Sequence, residues 1–71
     1  MDDSTDQEHM NRVRNEVARS RTHRLVKIAG GYELWMGTQL PCFYWNYVAL
    51  VATFDNWDAA DAAFWEASKD A

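Results

Sequence analysis

From Phe43 to Phe54 the chain reads Phe-Tyr-Trp-Asn-Tyr-Val-Ala-Leu-Val-Ala-Thr-Phe, with no charge, glycine or proline. Aromatic and β-branched residues at this density suit the pleated, half-buried surface of a sheet. The run is long for one strand, whose usual length is about 5–6 residues. Asn46 is therefore the expected site of a bulge or a turn that divides it. At Asp55 the character changes. The segment from there to Ser68 is acidic and rich in alanine, which predicts a helix over Trp57–Ser68. Asp55 is its expected cap, and Asp58 would sit near the positive end of the helix dipole. A strand with a face to bury, followed directly by a helix with a face to bury, restricts the chain to a helix-on-sheet architecture.

Upstream, Thr5-Asp6-Gln7-Glu8 fits a capping box. Met10, Val13 and Val17 then recur at helical spacing. A first helix is expected from Asp6 to about Arg19, with Glu16 placed to pair with Arg12 and Arg19 on its surface. His23–Ile28 alternates as a strand, Gly30-Gly31 breaks it as a hairpin turn, and Tyr32–Met36 returns. Gly37–Pro41 reads as a loop, because proline lacks the ladder amide. The expected order is α-β-β-β-α: a single α+β domain over residues 1–71 with residues 1–4 as a flexible leader. The sheet is a three-stranded antiparallel meander, with the N-terminal and C-terminal helices packed on it. Val26, Ile28, Tyr32, Leu34, Met36, Val48, Leu50 and Phe54 are the expected sheet core. Trp57, Ala60, Phe64 and Ala67 are the matching helix face. Trp35, Trp45 and Tyr47 are then left for the other side of the sheet, to be covered by the first helix or by a partner.

A chain of 71 residues has little core to work with, since domains of this size bury only about 60% of the surface of their unfolded chains. One cysteine, Cys42, excludes a disulfide within the chain. Large rings must supply the stability instead, each burying on the order of 150–250 Å². The first residues are acidic rather than a basic segment leading into an apolar run, so no secretory signal is expected. No apolar run approaches the roughly 20 residues that cross a bilayer as a helix. A monomer is favoured over a homodimer.

Net charge is −4, but it is unevenly placed. Residues 1–11 carry four acids and no base; residues 12–27 carry six bases and one acid, Glu16; residues 28–71 carry six acids and one base, Lys69. A free nucleic-acid binder usually shows a dominant basic face, and here the basic block is outweighed. Direct nucleic-acid binding is therefore not the first expectation.

The sequence offers no reaction chemistry. His9, His23 and Cys42 fall in three different elements and have no ligand spacing, so no metal site is expected. Cys42 has no adjacent base to activate it. Gly30-Gly31 is followed by neither a lysine nor a helix start, so it is no phosphate loop. No cofactor is expected, and the chain reads as a non-enzyme. What remains is the outward side of the last helix, where Asp58, Asp61 and Trp65 recur at spacings of three and four with Glu66 beside them and Asp55 before them. Neighbouring carboxylates on such a face stand roughly 5–6 Å apart at Cβ, on the scale of the charge spacing of a nucleic-acid strand. An indole among them is the kind of residue that anchors interfaces. The candidate partner-binding residues are Asp55, Asp58, Asp61, Trp65 and Glu66, with Glu33 from the strands.

The chain resembles the small acidic phage-encoded anti-CRISPR inhibitors. The resemblance is one of type, carried by size and by three stretches. Two are the acidic runs Asp2-Asp3-Ser4-Thr5-Asp6 and Asp55-Asn56-Trp57-Asp58-Ala59-Ala60-Asp61. The third is the passage from the hairpin Gly31-Tyr32-Glu33-Leu34-Trp35 to Phe64-Trp65-Glu66. Those inhibitors share no common fold, so no residue carries over by alignment. The resemblance implies an activity: DNA mimicry against a CRISPR effector in the cytoplasm of a bacterial host cell, blocking target DNA binding. The basic block from Arg12 to Lys27 departs from a pure mimic. It supports one alternative, a small nucleic-acid-binding regulatory domain; a further alternative is an accessory phage protein acting by self-assembly.

Overall fold

The computed structural model describes residues 3–41 and 44–69. The elements are α1 (Asp3–Arg14), β1 (Glu16–Arg19), β2 (His23–Ile28), β3 (Gly31–Gln39), β4 (Trp45–Phe54) and α2 (Trp57–Ser68). The four strands form one antiparallel sheet in chain order, β1-β2-β3-β4. The fold is α+β, as expected, but with four strands where three were expected.

The extra strand comes from the segment expected to end the first helix. Helix α1 begins at Asp3, ahead of Thr5, so Thr5 is not its cap; it stops at Arg14 rather than Arg19. Asn15 closes it, with its backbone amide and its side-chain amide both donating to the Asn11 carbonyl at 3.1 and 2.7 Å. Glu16–Arg19 then pairs with β2 as an edge strand. Helical spacing of Val13 and Val17 is compatible with either state, and the free edge of β2 decides between them. Of the expected leader, Asp3 and Ser4 belong to α1, while Met1 and Asp2 lie outside the described residues.

The β2–β3 hairpin turns at Ala29-Gly30, one residue earlier than the glycine pair suggests, and Ile28 pairs with Gly31. Gly30 takes φ 83°, the left-handed region that glycine enters freely. A two-residue turn couples odd positions of β2 to even positions of β3. Leu25 is therefore opposite Leu34. Leu25, not Val26 and Ile28, joins Leu34, Ala60 and Phe64 in the core under α2. That parity holds wherever a two-residue turn falls, so Val26 and Ile28 stand on the face opposite to Leu34 whichever pair of residues makes the turn. Val48 and Leu50, also expected in the core, are exposed.

Strand β4 is one continuous strand, not two. Its ladder with β3 shifts register twice, at Leu34/Trp35 and at Met36/Gly37, and Asn46 itself pairs regularly with Thr38. The segment expected as a loop, Gly37–Pro41, is mostly strand, since β3 runs on to Gln39. Gly37 is required there by close approach. A Cβ at that position would lie 2.6 Å from the Trp45 ring and against the Asn46 carbonyl oxygen. The indole of Trp45 thus rests on the strand where a side chain is missing.

Helix α2 covers one face of the sheet through Ala60 and Phe64, with Ala63 and Ala67 at its margin. Its cap is Asn56, whose Oδ1 accepts from the Ala59 amide at 2.8 Å, rather than Asp55. Asn56 stands in extended geometry one residue before the helix, the position from which a side-chain oxygen reaches the first-turn amides. The other face carries Trp35, Trp45 and Tyr47, and α1 lies over it. Arg12 stacks 4.5 Å above the Trp35 ring, and His9 meets Tyr47 edge-on at 5.4 Å. The expected cover within the chain is thus present. No helix among the described residues is long and apolar enough to cross a membrane.

Candidate functional site

The α2 surface is built by its helical phase. Ala60 and Phe64 point to the sheet, so Asp58, Ala62 and Trp65 must point away. Trp65 is 64% exposed, the most exposed of the large apolar side chains among the described residues. Its ring touches the buried Phe64 ring edge-on at 5.7 Å, which fixes its base while its outer surface meets water. Asp61, one turn before it, is half-buried; Asp58, two turns before it, is exposed. Glu66 is exposed and pairs with Lys69 at 3.1 Å, an exposed pair of little energetic weight. Asp55 is exposed in the short link from β4. Five of the six sequence-predicted residues therefore lie on or beside α2. Trp57, expected in the helix core face, stands at the rim, edge-on to Tyr32 at 5.6 Å.

Glu33 is apart from them. It accepts the indole proton of Trp35 at 3.0 Å, and Trp35 is the ring that carries Arg12. Glu33 thus belongs to the α1 face of the sheet, opposite α2.

That α1 face holds a charged cluster that sequence reasoning did not assemble. Glu16, with a side chain only 6% exposed, sits at its centre. Its carboxylate accepts the Tyr47 hydroxyl at 2.5 Å and pairs with Arg19 at 3.2 Å and with Arg24 at 3.6 Å. Arg24, 9% exposed in its side chain, also donates to the Ser20 and His23 carbonyls and lies 4.3 Å from the Trp45 ring centre. Burial lowers the Arg24 pKa, and Glu16 opposes the shift. Burial raises the Tyr47 pKa, helped by its hydrogen bond to Glu16. Both carboxylate oxygens of Glu16 have partners, so the cluster ties β1, β2 and β4 together. The available signal was Glu16 as the lone acid within the basic block.

The basic block therefore divides. Arg12 and Arg24 are used internally, whereas Arg14, Arg19, Arg21 and Lys27 face water. Among the described residues no group of His, Cys, Asp and Glu converges to hold a metal ion. His9 stacks on Tyr44 at 4.3 Å, and His23 shares a 2.7 Å hydrogen bond with the Thr22 hydroxyl. Cys42 lies outside the described residues.

Comparison with known proteins found no matching family model, no matching curated protein and no matching solved structure.

Proposed function

We propose that this chain is a non-enzymatic inhibitor that binds a basic, nucleic-acid-handling protein through the outward face of α2. The proposed target is a CRISPR effector in the bacterial cytoplasm, with target DNA excluded from the occupied surface. The observation that carries the reading is Trp65, exposed beside Asp58 and Asp61 on a helix whose opposite face is core. A large apolar side chain held out to water by a rigid element suits an interface anchor. The flanking carboxylates suit a basic partner and steer its approach. Glu33, on the other side of the sheet, is no part of this face.

The test is binding and inhibition by Asp58→Lys/Asp61→Lys/Glu66→Lys and, separately, by Trp65→Ala. Both should fold like the parent and lose inhibition. Parent binding should be 1:1 and weaken with added salt, because exposed charges are screened beyond about 10 Å at 0.1 M. A charge-reversed variant that inhibits as well as the parent refutes the acidic-face mechanism.

A second reading is favoured by the outward arginines Arg14, Arg19 and Arg21, which lie on and beside β1. It makes the chain a small nucleic-acid-binding regulatory domain whose affinity falls steeply with salt. A mobility-shift assay at low salt with single- and double-stranded DNA and RNA tests it. Absence of any shift disposes of it.

A further inference from the structure

The two edges of the sheet are treated differently. Strand β1 is four residues long, is interrupted at Val17, and has exposed arginines at 14, 19 and 21 on and around it. Short length, irregularity and charge are the usual means of keeping a sheet edge from pairing with another chain. Strand β4, at the opposite edge, is also irregular, its ladder with β3 shifting register on either side of Ala49-Leu50, but it is ten residues long and contains no charge and no proline. At its centre four consecutive residues, Val48-Ala49-Leu50-Val51, are all exposed. Val48 is 56%, Leu50 47% and Val51 48% exposed.

Ala49 is opposite Met36 and Leu50 opposite Trp35, so the exposed apolar groups lie on both faces of the sheet. The uncovered feature is therefore the edge itself, with its outward row of backbone donors and acceptors. An edge of this kind takes a strand. The strand that also continues the apolar margin on both faces is β4 of another molecule. With a two-fold axis at Leu50, Leu50 meets its own copy, and no charged side chain within β4 opposes another.

We propose that two copies of this chain pair antiparallel through β4, forming one eight-stranded sheet. Each chain has one edge that neither charge nor shortness protects, so the assembly closes as a dimer and does not propagate. The interface consists of backbone hydrogen bonds and apolar side chains. Its strength is nearly independent of salt, unlike binding through the α2 carboxylates, and the two proposals stand or fall separately. The sequence alone favours a monomer; the edge of β4 is the observation that points the other way.

Light scattering and sedimentation of the parent across a dilution series test this. The expected result is twice the chain mass at high concentration, dissociating on dilution and unaffected by salt. Leu50→Lys should run at the chain mass with an unchanged circular dichroism spectrum; should it fail to fold, Val48→Lys takes its place. Hydrogen exchange on the parent gives an independent reading: β4 amides should gain protection with concentration while β1 amides do not. A parent at the chain mass throughout, a lysine variant as dimeric as the parent, concentration-independent protection of β4, or open-ended assemblies with no discrete dimer would each overturn the proposal.

Discussion

Tyr47 and Glu16 stand on the two opposite edge strands, and their side chains meet at 2.5 Å across β2 and β3. The tyrosine hydroxyl donates to a carboxylate that also holds Arg24, so one contact ties the last strand to the first. Removing either partner should be felt by the whole sheet. Tyr47→Phe deletes a hydrogen bond to a charged group and should cost about 1.5–3 kcal/mol. Glu16→Ala leaves the Arg24 guanidinium buried without its counter-charge and should cost more, about 3–5 kcal/mol. Urea denaturation of the two variants should show that order; equal or reversed losses would mean that Glu16 is not the centre of the cluster.

Tyr47 also sets an alkaline limit. Its pKa is raised in the folded chain, by burial first and by the Glu16 hydrogen bond next. Its ordinary value is about 10. Above that value the unfolded chain releases the tyrosine proton while the folded chain keeps it, so stability declines as pH rises. Below it the contribution is complete. The parent should lose stability from about pH 10 upward, and Tyr47→Phe should show a shallower decline. Melting temperatures of both proteins between neutral and strongly alkaline pH measure this directly.

The glycines should rank by geometry rather than by exposure. A Cβ at Gly37 meets the Asn46 carbonyl oxygen and the Trp45 ring, and one at Gly31 meets the Phe54 carbonyl oxygen. Gly30, at φ 83°, has open space around it. Gly30→Ala should cost only the left-handed penalty of about 1–2 kcal/mol. Gly37→Ala must displace the indole or part the strands and should cost more than Gly30→Ala, with a loss of the near-ultraviolet signal from Trp45. Comparable melting temperatures for the two would contradict the packing of Trp45 on Gly37.

Adjacent rings on α2 should behave in opposite ways. Phe64 is buried against Leu25 and Leu34, so Phe64→Ala should cost about 3–5 kcal/mol. Trp65 faces water, and Trp65→Ala should stay within about 0.5 kcal/mol of the parent. Denaturant melts of the pair establish whether Trp65 is free for binding, a condition that the proposed inhibitor face requires.

Local chemistry made much of this chain legible. The β-rich run ending at Phe54, the alanine-rich helix after it and the glycine between β2 and β3 each follow from residues that are neighbours in sequence. So does the outward phase of Asp58 and Trp65, because helical period places them opposite the apolar set Ala60 and Phe64, with Asp61 at the flank. The fate of Glu16–Arg19 was not legible. Its spacing of charges and valines serves a helix as well as a strand, and the vacant edge of β2 settles the matter. Glu33 shares its charge with the α2 carboxylates, but strand alternation puts it on the other side of the sheet against Trp35. Pairing across the sheet likewise decided that Leu25 is core, that Arg24 is internal, and that Glu16 meets Tyr47, while the packing of α1 set Arg12 over Trp35. Periodicity gives each element its two faces, but contacts between residues far apart in sequence exist only once the strands have taken their register.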